Sequence, residues 1–237
     1  SVEVVAEHDA GPLAGMTTYH VFMDCVNADD IVSSVSGDAI FPLELSTTTS
    51  FYQDALGAST PNAVNPLLFG FFAELEFDSW VTIGISQQPN GGANEGEVST
   101  VESPTQGWVL PFEGGGNIEM NDATGGAWFV TQNYSNGVAG DDHKVLLAQL
   151  TTDGEISGTL LVQVFEHGVG ESDLRFHLSF EGTNGSGAGG CTDPAADNYN
   201  EGAATDDGSC QYGGCTDASA CNYDETANND DGSCTYA

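Results

Sequence analysis

The sequence predicts an all-β protein, a two-sheet β-sandwich of jelly-roll or immunoglobulin-like type, followed by two small loop-rich repeats. Three observations predict it. Apolar and polar residues alternate with a period of two in several runs, as in Leu174-Phe176-Leu178-Phe180 against Arg175-His177-Ser179-Glu181. Clusters of Gly, Asn, Asp and Pro cut the chain into short runs up to residue 182. Beyond that point the large apolar side chains stop, apart from Tyr199, Tyr212, Tyr223 and Tyr236, while five of the six cysteines lie there.

The strand candidates follow in order. Val2 to Glu7 opens the series, and Thr17-Tyr19-Val21-Met23 gives a clear half-buried alternation. Ile40 to Leu45, Leu68 to Leu75, Phe77 to Ile85, Gly107 to Phe112, Ala127 to Gln132, Val145 to Thr151 and Thr159 to Glu166 are apolar runs bounded by turn residues, and Leu174 to Phe180 closes the set. Asp153-Gly154, between two of these runs, is the strongest hairpin signal. About ten short strands, with no amphipathic helix of useful length although Val145 to Leu150 or Asn65 to Glu74 leaves room for a helical turn or two, point to two packed sheets over residues 1–182, with residues 183–190 (TNGSGAGG) as a linker.

Charge narrows the class of partner. Two basic residues, Lys144 and Arg175, face 36 acids among 237 residues, a formal charge of −34. Phosphate contacts cannot be made by two cations, so nucleic acid is excluded, and an anionic membrane surface is disfavoured. No run is long enough to insert in a membrane, and Ser1 does not open a leader-like segment, so a processed, soluble chain is expected. With 39% apolar and 9% aromatic residues the chain is too hydrophobic for a disordered polyanion.

The tail is an internal repeat. Gly190 to Cys210 (GCTDPAADNYNEGAATDDGSC) and Gly214 to Cys234 (GCTDASACNYDETANNDDGSC) align without a gap, defining repeat regions 191–213 and 214–237. Units this small cannot bury a core and need a staple, so Cys191 is expected to pair with Cys210 and Cys215 with Cys234, in an oxidising compartment. Each unit also carries hard oxygen ligands at short spacing: Asp193, Asn198, Asn200, Asp206 and Asp207 in the first, Asp217, Asn222, Asp224, Asp230 and Asp231 in the second. Calcium takes six to eight such oxygens from flexible loops, and the chain has almost no counter-charge of its own, so Ca2+ is the expected cofactor. The competing reading has the same Asp and Asn residues simply making turns.

The GCTD opening, the central Ala-x-Asn-Tyr and the closing DDGSC resemble C-terminal repeats of secreted and cell-surface proteins of aquatic microbes, loosely similar to thrombospondin type 3 calcium repeats. Residues 13–19, 77–84 and 121–128 resemble a domain found beside such repeats. The resemblance implies an extracellular or cell-surface location and a structural or adhesive role, with no catalytic residues to transfer. Against that pattern the second unit has a central Cys221 where the first has Asp197, and Cys25 stands alone in the strand-rich part. Cys25 and Cys221 could pair within one chain, pair between chains, or both stay free.

Enzyme chemistry finds no motif, although the two carboxylates that glycoside hydrolysis needs are compatible with so acidic a chain, which leaves a secreted hydrolase as a third class. His8, His20, His143, His167 and His177 lack HExxH spacing, no serine sits in GxSxG, and Asp141-Asp142-His143 reads as a turn or a calcium loop. Asn133-Tyr134-Ser135 and Asn184-Gly185-Ser186 are glycosylation sequons, and Ser46 to Ser50 is a hydroxyl-rich run. Trp80, Trp108 and Trp128 are either core residues or platforms for a sugar ring. The expected function is therefore a non-enzymatic subunit that self-associates into a calcium-stabilised surface fibre, joined by Ser1 to Glu7 adding to the next sandwich or by the tail. The alternative is a monomeric adhesin or glycan-binding module on a stiff stalk.

Overall fold

A computed structural model describes residues 1–170, 173–181, 189–190, 193–196, 205–206, 210–224, 226–230 and 232–236. The chain divides into two compact units, Ser1–Gly185 and Ser186–Ala237. The first is mostly β. Its strands are β1 (Val2–Glu7), β2 (Thr17–Asp24), β3 (Ile31–Gly37), β4 (Leu43–Thr47), β5 (Trp80–Val81) and β6 (Ser99–Val101), then β7 (Ile118–Met120), β8 (Gly126–Phe129), β9 (Lys144–Thr152), β10 (Ile156–Phe165) and β11 (Asp173–Glu181).

Two antiparallel sheets result. One has the order β1-β2-β9-β5; the other runs β6-β8-β3-β10-β4-β7, with β11 also on β10. β11 pairs with β10 from Ser157↔Glu181 to Phe165↔Asp173. The opposite edge of β10 is shared end to end, with β4 opposite Ile156 to Thr159 and β3 opposite Leu161 to Phe165. β3 and β4 thus form one strand line interrupted by a loop. That loop closes on Gly37, where a Cβ would lie 2.3 Å from the Leu43 Cβ, so no larger residue fits.

Val21, Met23 and Leu147 from the first sheet and Val32, Val35, Trp128 and Val162 from the second lie in one buried apolar cluster, a sandwich-like packing. Trp108 and Trp128 are buried and in tilted contact, ring centroids 5.8 Å apart, and Trp80 is buried in a satellite cluster with Val64 and Leu146, so all three tryptophans serve as core rather than exposed platforms. β9 is buried from Val145 to Thr152, on both faces.

Several expectations need correction. Leu68 to Leu75 is not a strand: Pro66–Leu68 and Ala73–Phe77 are 3₁₀ turns, the first started by Pro66 behind an Asn65 side chain that accepts from the Leu67 N–H. Gly107 to Phe112 contains the short helix α1 (Val109–Glu113). Phe77 to Ile85 keeps only β5, and Ile40 and Phe41 turn on the Asp38 carboxylate before β4 begins. β3, β6 and β7 had no counterpart among the expected strands. Asp153-Gly154 does turn the chain, but β9 and β10 belong to different sheets, so it is a crossover and not a hairpin. Val2 to Glu7 is a strand, as expected, and pairs with β2.

In the second unit, Cys215 and Cys234 form a disulfide with Cα atoms 4.8 Å apart. Cys210 is also disulfide-bonded, and its expected partner Cys191 lies outside the described residues. Gly213–Gly214 pairs in parallel with Asn229–Asp230, as Gly189–Gly190 does with Thr205–Asp206 at the equivalent place in the first repeat. Cys25 and Cys221 are both free thiols. Cys25 is half-buried against the core, where desolvation, with Asp30 and Asp24 adding, pushes its thiol up to about 12.

Candidate functional site

Repetition organises the tail chemistry. Asp193 Oδ1 accepts from the Ala195 N–H at 2.9 Å, and its Oδ2 accepts from the Tyr212 hydroxyl at 2.6 Å. Twenty-four residues on, Asp217 does the same: Oδ1 accepts from the Ser219 N–H at 2.8 Å and Oδ2 from the Tyr236 hydroxyl at 2.8 Å. The donors hold both carboxyls below the usual range, Tyr212 being the largest influence on Asp193 and the Ser219 hydroxyl on Asp217. Asp224 accepts from the Thr226 N–H and hydroxyl, and these lower it too. Asn222 spans the loop, accepting from Thr235 N–H at 2.7 Å and donating to the Ser233 carbonyl at 2.8 Å. The expected ligands Asp193, Asp217, Asn222 and Asp224 therefore make turns and cross-ties. Asp206 and Asp230 end the two parallel pairings, while Asn198, Asn200, Asp207, Asp231 and the sequon residue Asn184 lie outside the described residues.

In the first unit, the expected polar cluster Asp141-Asp142-His143 is a turn into β9, with His143 at φ 57° and its Nδ1 against the Val26 carbonyl. A different cluster forms across the fold. Asp29, Asp30 and His167 offer ligand atoms within 4.8 Å of one another. His167 Nδ1 sits 2.9 Å from Asp29, and Asp29 beside it raises the imidazole's affinity for its proton. Burial works against ionised Asp30, but N–H groups of Asn27 and His167 outweigh it and hold the carboxyl low. With both carboxylates so engaged, the cluster pins the entry of β3 to the exit of β10. Sequence reading missed it because Asp29 and His167 are 138 residues apart.

Beside this pin, on the outer face of the larger sheet, lies an open groove of about 660 Å³. Its floor is one cross-strand row: Gln163 of β10 opposite Ser34 of β3, Ser34 opposite Phe129 of β8, and Phe129 opposite Ser99 of β6. A β-bulge sets the chemistry. The register of β3 slips between Gln163 and Val164, so that Val32 and Val35 both point into the core while Ser33 and Ser34 both donate to Gln163 Oε1, at 2.8 and 3.2 Å. Two hydroxyl donors on one oxygen fix the amide so that its NH2 faces away from them. Past β8, Thr131 donates to Asn133 Oδ1 at 2.5 Å and fixes the second amide of the groove.

The hydroxyl-rich run Ser46 to Ser50 is absorbed structurally, through Ser46–Ser157, Thr47–Thr152 and Thr49–Thr152 contacts of 2.8 to 3.0 Å. Among helices in the described residues, none is long and apolar enough to cross a membrane. Comparison of the chain with family models, with curated proteins and with solved structures gives no match.

Proposed function

We propose that this chain is a non-enzymatic, extracellular structural protein that self-associates into a fibre and whose acidic tail repeats take up Ca2+. The observation carrying this reading is the edge strand β11. Over nine residues it pairs only with β10 among the described strands, and its core-side face leaves Leu174 42% and Phe176 39% exposed. A long edge strand with one apolar face and no second partner among the described strands is a template for another chain, and proteins that stay monomeric usually blunt such edges. A second apolar spot, Leu67 and Phe71 on the turn before β5, is almost fully exposed. Two different patches on one chain favour head-to-tail contacts, which propagate as open polymers. The β-sandwich reading of the strand-rich unit suits such a subunit, and the resemblance of the tail to surface-protein repeats points the same way.

Calcium enters through charge. Subunits of −34 repel one another, and hard divalent cations neutralise carboxylates that two basic side chains cannot. Sedimentation and negative-stain microscopy in millimolar Ca2+ and then EDTA test the reading. Long species that shorten on chelation, and that fail to form from the Leu174→Lys, Phe176→Lys chain, are expected. A monomer in every condition sinks the proposal.

A further inference from the structure

We propose that the groove over Phe129 binds a neutral sugar ring. This goes beyond the assembly reading and does not depend on it, because the groove lies on the outer face of the sheet and uses neither Leu174 nor Phe176.

Three features of the site specify the ligand. The lining contains no Asp, Glu, Lys, Arg or His, although 36 acids crowd the rest of the chain. The nearest charges flank the groove rather than line it: Arg175 of β11, opposite Gln163, has interactions of its own, and the Asp29 and Asp30 carboxylates are engaged with His167 and Asn27, so the lining itself suits an uncharged occupant. The half-exposed Phe129 ring supplies a flat apolar floor, the counterpart of the C–H face of a pyranose. Around it stand amides whose orientation is set in advance. Gln163 Oε1 is taken by Ser33 and Ser34, and Asn133 Oδ1 by Thr131, which leaves both NH2 groups to donate to ring hydroxyls. An apolar surface with a few fixed polar groups, in a volume within the range of about 300–1,000 Å³ typical of ligand sites, is what a polyhydroxylated ring needs.

The sugar has two sources. It can come from outside, or it can be carried by the chain itself, since Asn133 is the acceptor of the sequon Asn133-Tyr134-Ser135 and lines the groove. The full chain, made in a host without N-glycosylation, is titrated with a panel of neutral hexasaccharides (gluco-, manno-, xylo- and chito-series) and a hexuronate comparator. Side-chain amide resonances and calorimetry are the readouts. Saturable shifts of the Gln163 and Asn133 amides are expected with at least one neutral series and none with the hexuronate. Phe129→Ala and Gln163→Glu should each weaken binding roughly tenfold or more, with melting curves reporting whether the fold persists. No saturable shift across the panel, or equal affinity in Phe129→Ala, overturns the proposal. The same titration on chain glycosylated at Asn133 assigns the source: if added sugar binds the chain made without N-glycosylation but not the glycosylated chain, the occupant is the chain's own glycan, and if it binds both equally, the ligand is external.

Discussion

The two units hold their shape by different means. In Ser1–Gly185, Trp80, Trp108, Trp128, Phe112 and Leu147 are buried essentially completely, whereas the buried side chains described in Ser186–Ala237 are Ala196, Cys215 and Ala220. Area removed from water stabilises the first at about 25 cal/mol per Å². The second, with almost no apolar area to bury, relies on a covalent link, on Asx turns at Asp193 and Asp217, and on tyrosine hydroxyls that reach back to those same carboxylates. Few-residue pairings such as Gly213–Gly214 with Asn229–Asp230 cannot persist alone. A covalent staple placed at the ends of the repeat limits the freedom those weak ties must overcome.

This contrast can be broken in several places. Trp128→Ala should cost about 3–5 kcal/mol in the first unit, read as a large fall in its melting temperature, and leave amide exchange in the tail unchanged. Cys234→Ser is the converse: the closed loop spans 19 residues, so about 3 kcal/mol is lost from the second unit alone, measured as accelerated amide exchange over 215–236. A transition of the strand-rich unit that shifted with it would contradict the separation.

The next effect depends on pH and belongs to the first unit. Asp78 is buried, and desolvation pushes its carboxyl up to about 7, although the N–H groups of Asp54 and Ala58 donate to it. A folded-state value above the unfolded one means that the folded chain holds the proton more tightly. The resulting stabilisation is complete below about pH 4 and is lost as pH rises through 7. Carbon NMR of the Asp78 carboxyl should titrate near neutrality, and Asp78→Asn should remove this part of the pH dependence of melting. A smaller change is expected from Tyr236→Phe, which deletes one hydroxyl donor to Asp217, and slightly faster amide exchange around Ser219 reports it. The least perturbing comparison is of thiols. Cys221, exposed, should react with a maleimide in the folded protein, and Cys25, with its raised pKa, should react only after unfolding.

How much was legible beforehand differs by region. β1, β2, β9, β10 and β11 were readable because their apolar residues alternate or form uninterrupted runs. β3 was not, and the reason is the bulge at Ser33 and Ser34. By adding a residue it spaces the core-facing Val32 and Val35 three apart, which destroys the period-two signal that identifies a strand. The same bulge builds the groove, so the feature that hid the strand also made the candidate site. Leu68 to Leu75 failed for the opposite reason: an apolar run was present, but Pro66 and Gly70 directed it into 3₁₀ turns.

By itself the sequence determined that this chain has a β-rich apolar unit and a coreless repeat tail closed by cysteines, because side-chain period, composition and repeat spacing are local properties. Only the tertiary structure decided that Asp153-Gly154 passes the chain between sheets, that Asp29 meets His167, and that Gln163, Ser34 and Phe129 share one row. Turn residues specify that a chain reverses but not which edge it then joins. That choice is made by burial of side chains far apart in sequence, and no local pattern records it.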